Sequence, residues 1–191
     1  MQTQPLGRRI AIFGGGGKTS LADAIARKLG VQHIELDAIQ HGPDWLQTPE
    51  DEFSRILEQR IDESPEGWVT DGNYSHHKPL ILAQTDTVIV IQLWFAALFW
   101  RILLRCVRRA ITREPLWSGN RESIRMTFFS RDSLLLEIIG KKKRYANYAY
   151  SVPQDVTPGT SIIIIIKGTR QLNAFYRTHG LEGRLRRSEV A

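Results

Sequence analysis

Cysteine is almost absent from this chain of 191 residues: Cys106 stands alone, so no internal disulfide can staple the fold. Long apolar runs are missing too. The longest, Thr87 to Trp100, falls well short of the roughly 20 residues a membrane-spanning helix needs, and it runs directly into Arg101, Arg105, Arg108 and Arg109. We read it as a buried strand turning into a helix and expect no membrane association. Met1 to Gly7 has no apolar stretch of the kind that directs secretion, which makes the cytoplasm the expected compartment. No internal repeat or low-complexity linker interrupts the chain, and its length suits one domain with one core.

What is present is an ordinary globular composition, 42% hydrophobic and 24% charged, with a formal net charge of +6. A positive chain attracts polyanions: nucleoside phosphates, nucleic acid or an anionic surface. Its arginines concentrate between Arg101 and Arg144, which suits a phosphate clamp, while Arg184, Arg186 and Arg187 read as a solvated tail.

Periodicity gives a repeating order of strands and helices. Arg9 to Phe13 is a short apolar strand ending in four glycines, and Lys18 to Leu29 has helical spacing through Leu21, Ala24, Ile25 and Leu29. Gly30 suits a left-handed cap, and Val31 to Leu36 predicts a second strand. After a turn-rich passage from Pro43 to Pro49, Phe53, Ile56, Leu57 and Ile61 make a helical stripe. Trp68 to Thr70 and Asp86 to Leu93 predict the third and fourth strands. Phe95, Leu98, Phe99, Ile102, Leu103 and Cys106 form the apolar face of the next helix. Ser161 to Lys167, with five isoleucines in succession, predicts a fully buried fifth strand. Alternation of this kind implies a three-layer α/β fold around a parallel sheet. Thr112 to Tyr150 has no strand signal and reads as a helical, lid-like insert.

The strongest chemical signal is Gly14, Gly15, Gly16, Gly17, Lys18, Thr19 and Ser20, set between strand and helix. Glycines let backbone N–H groups approach a phosphate and the helix start adds positive potential. Lys18 can then reach the β- and γ-phosphates and Thr19 can ligate magnesium. A standard loop of this type has a glycine six positions before its lysine, but here Ile12 holds that position and Gly14 stands only four before Lys18. The competing reading is a strand-to-helix turn that no longer grips phosphate.

Asp71 ends the third strand, at the edge where open α/β sheets bind ligands, and suits magnesium; the plainer alternative is an Asp-Gly turn. Asp37 lies at the same edge, as substrate contact or general base, or else as a turn carboxylate. Glu35, two residues before it, would share its face. Arg101 and Arg105 are one helical turn apart, with Arg108 and Arg109 beyond. They suit a phosphate clamp, joined from the insert by Arg121, Arg125, Arg131 and Lys141 to Arg144, or are simply a solvated face. His76 and His77 lack the neighbours of a metal site. Trp45, Trp94, Trp100 and Trp117 read as core or lid packing, and Cys106 as an inert core thiol.

These segments, with Pro115 to Arg121 and Phe129 to Ser133, resemble adenylate-kinase-related bacterial P-loop proteins of the DNA topology modulation type, from about Arg9 to His179. Asp71-Gly72-Asn73-Tyr74 and Gly119-Asn120-Arg121 are the most specific pieces. The resemblance implies a five-stranded parallel sheet in order 2-3-1-4-5. It also implies Asp71, Arg101 and Arg105 at the phosphates, and the adenine held near Gly168-Thr169-Arg170. The short loop and an insert without the usual adenylate-kinase lid pattern depart from it. The function expected is an ATP- and magnesium-dependent kinase moving a γ-phosphoryl group to a nucleoside monophosphate or another small hydroxylated acceptor. Two others stand beside it: a nucleic-acid-associated ATP-binding protein, and a degenerate, non-catalytic P-loop protein.

Overall fold

The computed structural model describes residues 5–112, 118, 120, 140, 150–157, 159 and 161–183, with backbone alone at 109 and 110. Five parallel strands form one sheet in the order β2-β3-β1-β4-β5. They are β1 (Arg9–Gly14), β2 (Gln32–Glu35), β3 (Trp68–Asp71), β4 (Thr87–Gln92) and β5 (Ile162–Lys167). The helices are α1 (Lys18–Leu29), α2 (Leu36–Gln40), α3 (Glu50–Asp62), α4 (Lys78–Leu82), α5 (Phe95–Thr112) and α6 (Gly168–Thr178), with a 3₁₀ turn at Pro43–Trp45. The fold is the three-layer α/β arrangement that the alternation of elements implied.

The single core expected from length is in fact two, one on each face of the sheet, because period-two alternation divides the strand side chains between them. Ala11, Phe13, Trp68, Val88 and Val90 pack on one face with Phe53, Leu57 and Ile61 of α3 and with Ile81 of α4. Ile10, Ile12, Val69, Ile89 and Ile91 pack on the other, against Leu21 and Ile25 of α1, Leu98 of α5 and Leu172 and Phe175 of α6. Each fully buried aliphatic or aromatic side chain here contributes about 1.5–3 kcal/mol, which fixes the strands and with them the loops at their ends. α1 stops at Gly30, whose φ of 64° is left-handed, and the Val31 N–H donates to the Ala26 carbonyl at 3.0 Å. α3 begins after Pro49 with Glu50, Asp51 and Glu52, three carboxylates that favour the positive helix start.

Because the sheet is parallel, every carboxyl end lies on one edge. Ile12 pairs beside Asp71, Glu35 beside Asp71, and Gly14 beside Ile91. Gly14, Glu35, Asp71 and the start of α1 therefore converge.

Three expectations need correcting. β5 is an edge strand, and its Ile163 and Ile165 are each 37% exposed; Ile164 and Ile166 turn toward α6, so the alternate pair faces away from that cover. β2 ends at Glu35 and the chain turns into α2 at Leu36, so Asp37 belongs to a helix. Trp94 and Trp100 are 81% and 58% exposed and pack in no core. Trp45 is half-buried and meets His41 edge-on, while Trp117 lies outside the described residues. Most of the 112–150 insert is also outside them. Among the described residues no helix is long and apolar enough to cross a membrane.

Candidate functional site

The glycine loop has a shape only glycine permits at its first position. Gly14 has φ 104°, and a Cβ there would stand 2.0 Å from the Ile91 carbonyl oxygen. The loop is tied to β4 by the Gly15 N–H, which donates to the same Ile91 oxygen at 3.0 Å. Gly17, also left-handed at φ 104°, caps α1 without any side chain capping the helix. The N–H groups of Lys18, Thr19 and Ser20 thus lack intrahelical acceptors. No acidic residue occupies this first turn. Such a helix start favours an anion.

Asn73, just beyond β3, braces the loop. Its Oδ1 accepts from the Gly14 N–H at 3.0 Å and its Nδ2 donates to the Gly14 carbonyl at 2.8 Å. Lys18 folds back onto that same carbonyl, Nζ to O 3.0 Å. Burial holds the Lys18 ammonium below its ordinary pKa; nearby Arg105 pushes the same way, while Asp71 and Asp37 oppose.

Asp71 is 3% exposed, and both of its oxygens are engaged. Oδ2 accepts from the Thr19 hydroxyl at 2.6 Å, and Oδ1 lies 2.8 Å from His33 Nε2. A carboxylate oxygen only accepts, so the ring proton is assigned to Nε2. The strand register explains the meeting: His33 pairs beside Val69, two residues before Asp71, and Val69 points to the α1 side of the sheet.

Asp37, in the first turn of α2, accepts from the Tyr74 hydroxyl at 2.6 Å. Burial first, then the Asp37 charge, raises the Tyr74 phenol well above its ordinary value, so it stays a protonated donor. The alternation expected for Glu35 and Asp37 is not realised, because the backbone is helical from Leu36; both carboxylates nonetheless act on Tyr74.

Arg101 Nη1 lies 3.4 Å from where a Gly17 Cβ would stand, with Leu172 of α6 3.5 Å from the same point. Gly168, buried and with φ 82°, opens α6 beside the Trp94 indole. Lys18, Thr19, Asp71, Asp37, Arg101 and Arg105 are therefore brought together at one sheet edge. Arg121, Arg125, Arg131, Lys141 to Arg144 and the terminal arginines lie outside the described residues, as does the Arg109 side chain.

His76 and His77 share no ligand: His77 stacks on Phe53 at 4.1 Å, and His76 is exposed near Glu50. Among the described residues no group of three or more His, Cys, Asp or Glu side chains is arranged for a metal. Cys106 is fully buried in the α5 face, as its position suggested.

Sequence reasoning gave no role to His33, Asn73, Tyr74 or Asn120. Asn120 is 8% exposed and clasps the turn after α2: Nδ2 donates to the Gly42 carbonyl at 2.8 Å and Oδ1 accepts from the Trp45 N–H at 3.2 Å. Ser118 Oγ adds a bond to the His41 carbonyl. His33 becomes visible only once the register of β2 against β3 is known, since it pairs beside Val69, on the same face as Asp71. No protein-family model matches the chain, and no curated protein matches it.

Proposed function

We propose that the chain is a single-domain, cytoplasmic P-loop phosphotransferase of the adenylate-kinase-related type, moving the γ-phosphoryl group of ATP to a small hydroxylated acceptor with magnesium. The observation that carries this reading is the Thr19 to Asp71 hydrogen bond of 2.6 Å at the foot of the glycine loop. Asp71 accepts the hydroxyl's hydrogen bond, so the lone pairs of Thr19 Oγ1 are left for a cation. A hydroxyl and a carboxylate are hard oxygen donors, and magnesium uses few protein ligands beside phosphates and water. The residues present fit the metal and the nucleotide.

Bound magnesium-ATP would supply the transferable phosphoryl group and a positive charge that offsets part of the phosphate charge. The chain's own residues supply the rest. The N–H groups of Lys18, Thr19 and Ser20 bind phosphate, and Lys18 leaves Gly14 for the β- and γ-oxygens. Arg101 and Arg105 neutralise charge that develops during transfer, joined by Arg121 from the insert. Gly168 leaves room for the adenine. Asp37, oriented by Tyr74, takes the proton of the acceptor hydroxyl.

Val31 to Ser54, on the acceptor side, contains no lysine or arginine. A phosphate-bearing acceptor must therefore draw its cations from α5 or the insert, whereas a neutral hydroxyl acceptor needs none. A coupled assay with magnesium-ATP across nucleosides, nucleoside monophosphates, sugars and small hydroxy acids is the test. An ATP-dependent product that disappears in Lys18→Ala supports the proposal; no product with any acceptor class ends it.

The loop's shortness and the engagement of Gly14 N–H by Asn73 favour one second reading, nucleotide binding without turnover. Calorimetric binding of magnesium-ATP with no product in that assay would select it. A nucleic-acid role draws only on the net charge of +6 and on Lys141 to Arg144.

A further inference from the structure

His33 lies off the glycine loop, on a strand two places from β1 in the sheet, yet its ring is 18% exposed and its Nε2 meets the most buried carboxylate of the site. An apolar ring in that position would leave Asp71 Oδ1 without this donor.

We propose that His33 is a positioning residue for the magnesium site: by donating Nε2–H to Asp71 Oδ1 it fixes the carboxylate rotation so that Oδ2 faces Thr19. The inference rests on the phosphotransferase reading and adds a residue to it. The chain of bonds runs His33 to Asp71 at 2.8 Å and Thr19 to Asp71 at 2.6 Å, both donors directed at one carboxylate. Its consequence is directional. With Oδ1 turned to His33, Oδ2 is the oxygen presented to Thr19, and the Thr19 lone pairs not used in that bond are left for a cation. Without His33 the carboxylate can rotate about its Cβ–Cγ bond to share its oxygens differently, and the Thr19 hydroxyl loses its fixed direction. Histidine–carboxylate pairs that orient metal ligands from behind typically change metal affinity by about 10- to 100-fold when broken.

The test separates metal from nucleotide. ATP binding to the full chain is measured by calorimetry in EDTA and across a magnesium titration, for the wild type, His33→Phe and His33→Gln. In His33→Phe the magnesium concentration giving half-maximal tightening of ATP binding should rise about tenfold or more, while ATP affinity in EDTA stays within about twofold. His33→Gln, which keeps a donor of similar reach, should recover most of the loss. Nitrogen NMR of the wild-type ring should find Nε2 protonated. An unchanged magnesium requirement in folded His33→Phe, equal losses with and without magnesium, or an unprotonated Nε2 would each overturn the inference. If His33→Phe fails to fold, the glutamine variant and the ring tautomer decide by the same criteria. A wild type that binds no ATP in either condition defeats the phosphotransferase reading itself, whereas normal wild-type binding with an indifferent His33 defeats only this inference.

Discussion

Asn73 grips Gly14 by both of its backbone polar groups, accepting from the N–H at 3.0 Å and donating to the carbonyl at 2.8 Å. One side chain thus stands in for a strand partner where the loop is too short to brace itself. Two hydrogen bonds at about 0.5–1.5 kcal/mol net each imply that Asn73→Ala loses about 1–3 kcal/mol, read from the urea midpoint. Asn73→Asp keeps the acceptor, loses the donor and adds a negative charge beside the proposed phosphate site. Its ATP affinity should fall below that of Asn73→Ala, and equal affinities would show that Gly14 does not border the phosphate site.

Lys18 carries a pH signature. Burial disfavours its ammonium in the free protein, whereas a bound phosphate favours it. ATP affinity should fall as pH rises through the lowered Lys18 value, and between that value and the higher one of the bound state binding should take up protons. Calorimetry in two buffers of different ionisation heat measures the uptake. Lys18→Ala should abolish both the uptake and phosphoryl transfer while its thermal midpoint stays near that of the wild type; proton uptake that persists in the variant refutes the assignment.

Glycine substitutions should rank by geometry. Gly14→Ala combines left-handed backbone with a 2.0 Å approach to a main-chain oxygen that cannot move without breaking β4 pairing. A loss above about 3 kcal/mol is expected. Gly30→Ala meets open space and suffers only its φ of 64°, for about 1–2 kcal/mol. Denaturant midpoints in the reverse order would contradict the loop conformation.

His77 makes stability depend on mild acid. Burial holds its imidazole below the ordinary value, and the residue is 7% exposed with its ring stacked on Phe53. Between the folded value and about 6.5 in the unfolded chain, the unfolded state binds more protons, so stability falls as pH drops through that window. His179, shifted down by burial alone, acts in the same direction. Urea midpoints between pH 7.5 and 5 should decline less steeply in His77→Gln than in the wild type; parallel curves would clear His77 of the effect.

Much of the sheet was legible because buried strands and amphipathic helices leave strong periods. Lys18 to Leu29 is a helix over those same residues, and Gly30 caps it as its lack of a Cβ suggested. Leu36 reads from its sequence as the end of the second strand because it suits either period, and the switch from two to 3.6 happens within one residue, which leaves the helix that holds Asp37 unannounced. The isoleucine run was read as fully buried because composition reports hydrophobicity and not position in the sheet; only strand order makes β5 an edge. In the site, Lys18, Thr19 and Asp71 announced themselves by local spacing. His33 and Asn73 did not, since what matters in each is a partner 38 or 59 residues away.

The edge position of β5 also governs how the molecule fails. Ile162 to Ile166 is an uncharged, β-branched segment with one hydrogen-bonding side unpaired among the described residues, and Lys167 is the first charge after it. Once α6 lifts, that segment is a template on which a second unfolded chain can align, in the manner of a steric zipper. Heating should therefore end in precipitation, with a midpoint that moves with scan rate and with protein concentration. Replacing outward-facing Ile163 or Ile165 by lysine or threonine should restore reversibility at little expense to the core, because neither side chain belongs to it.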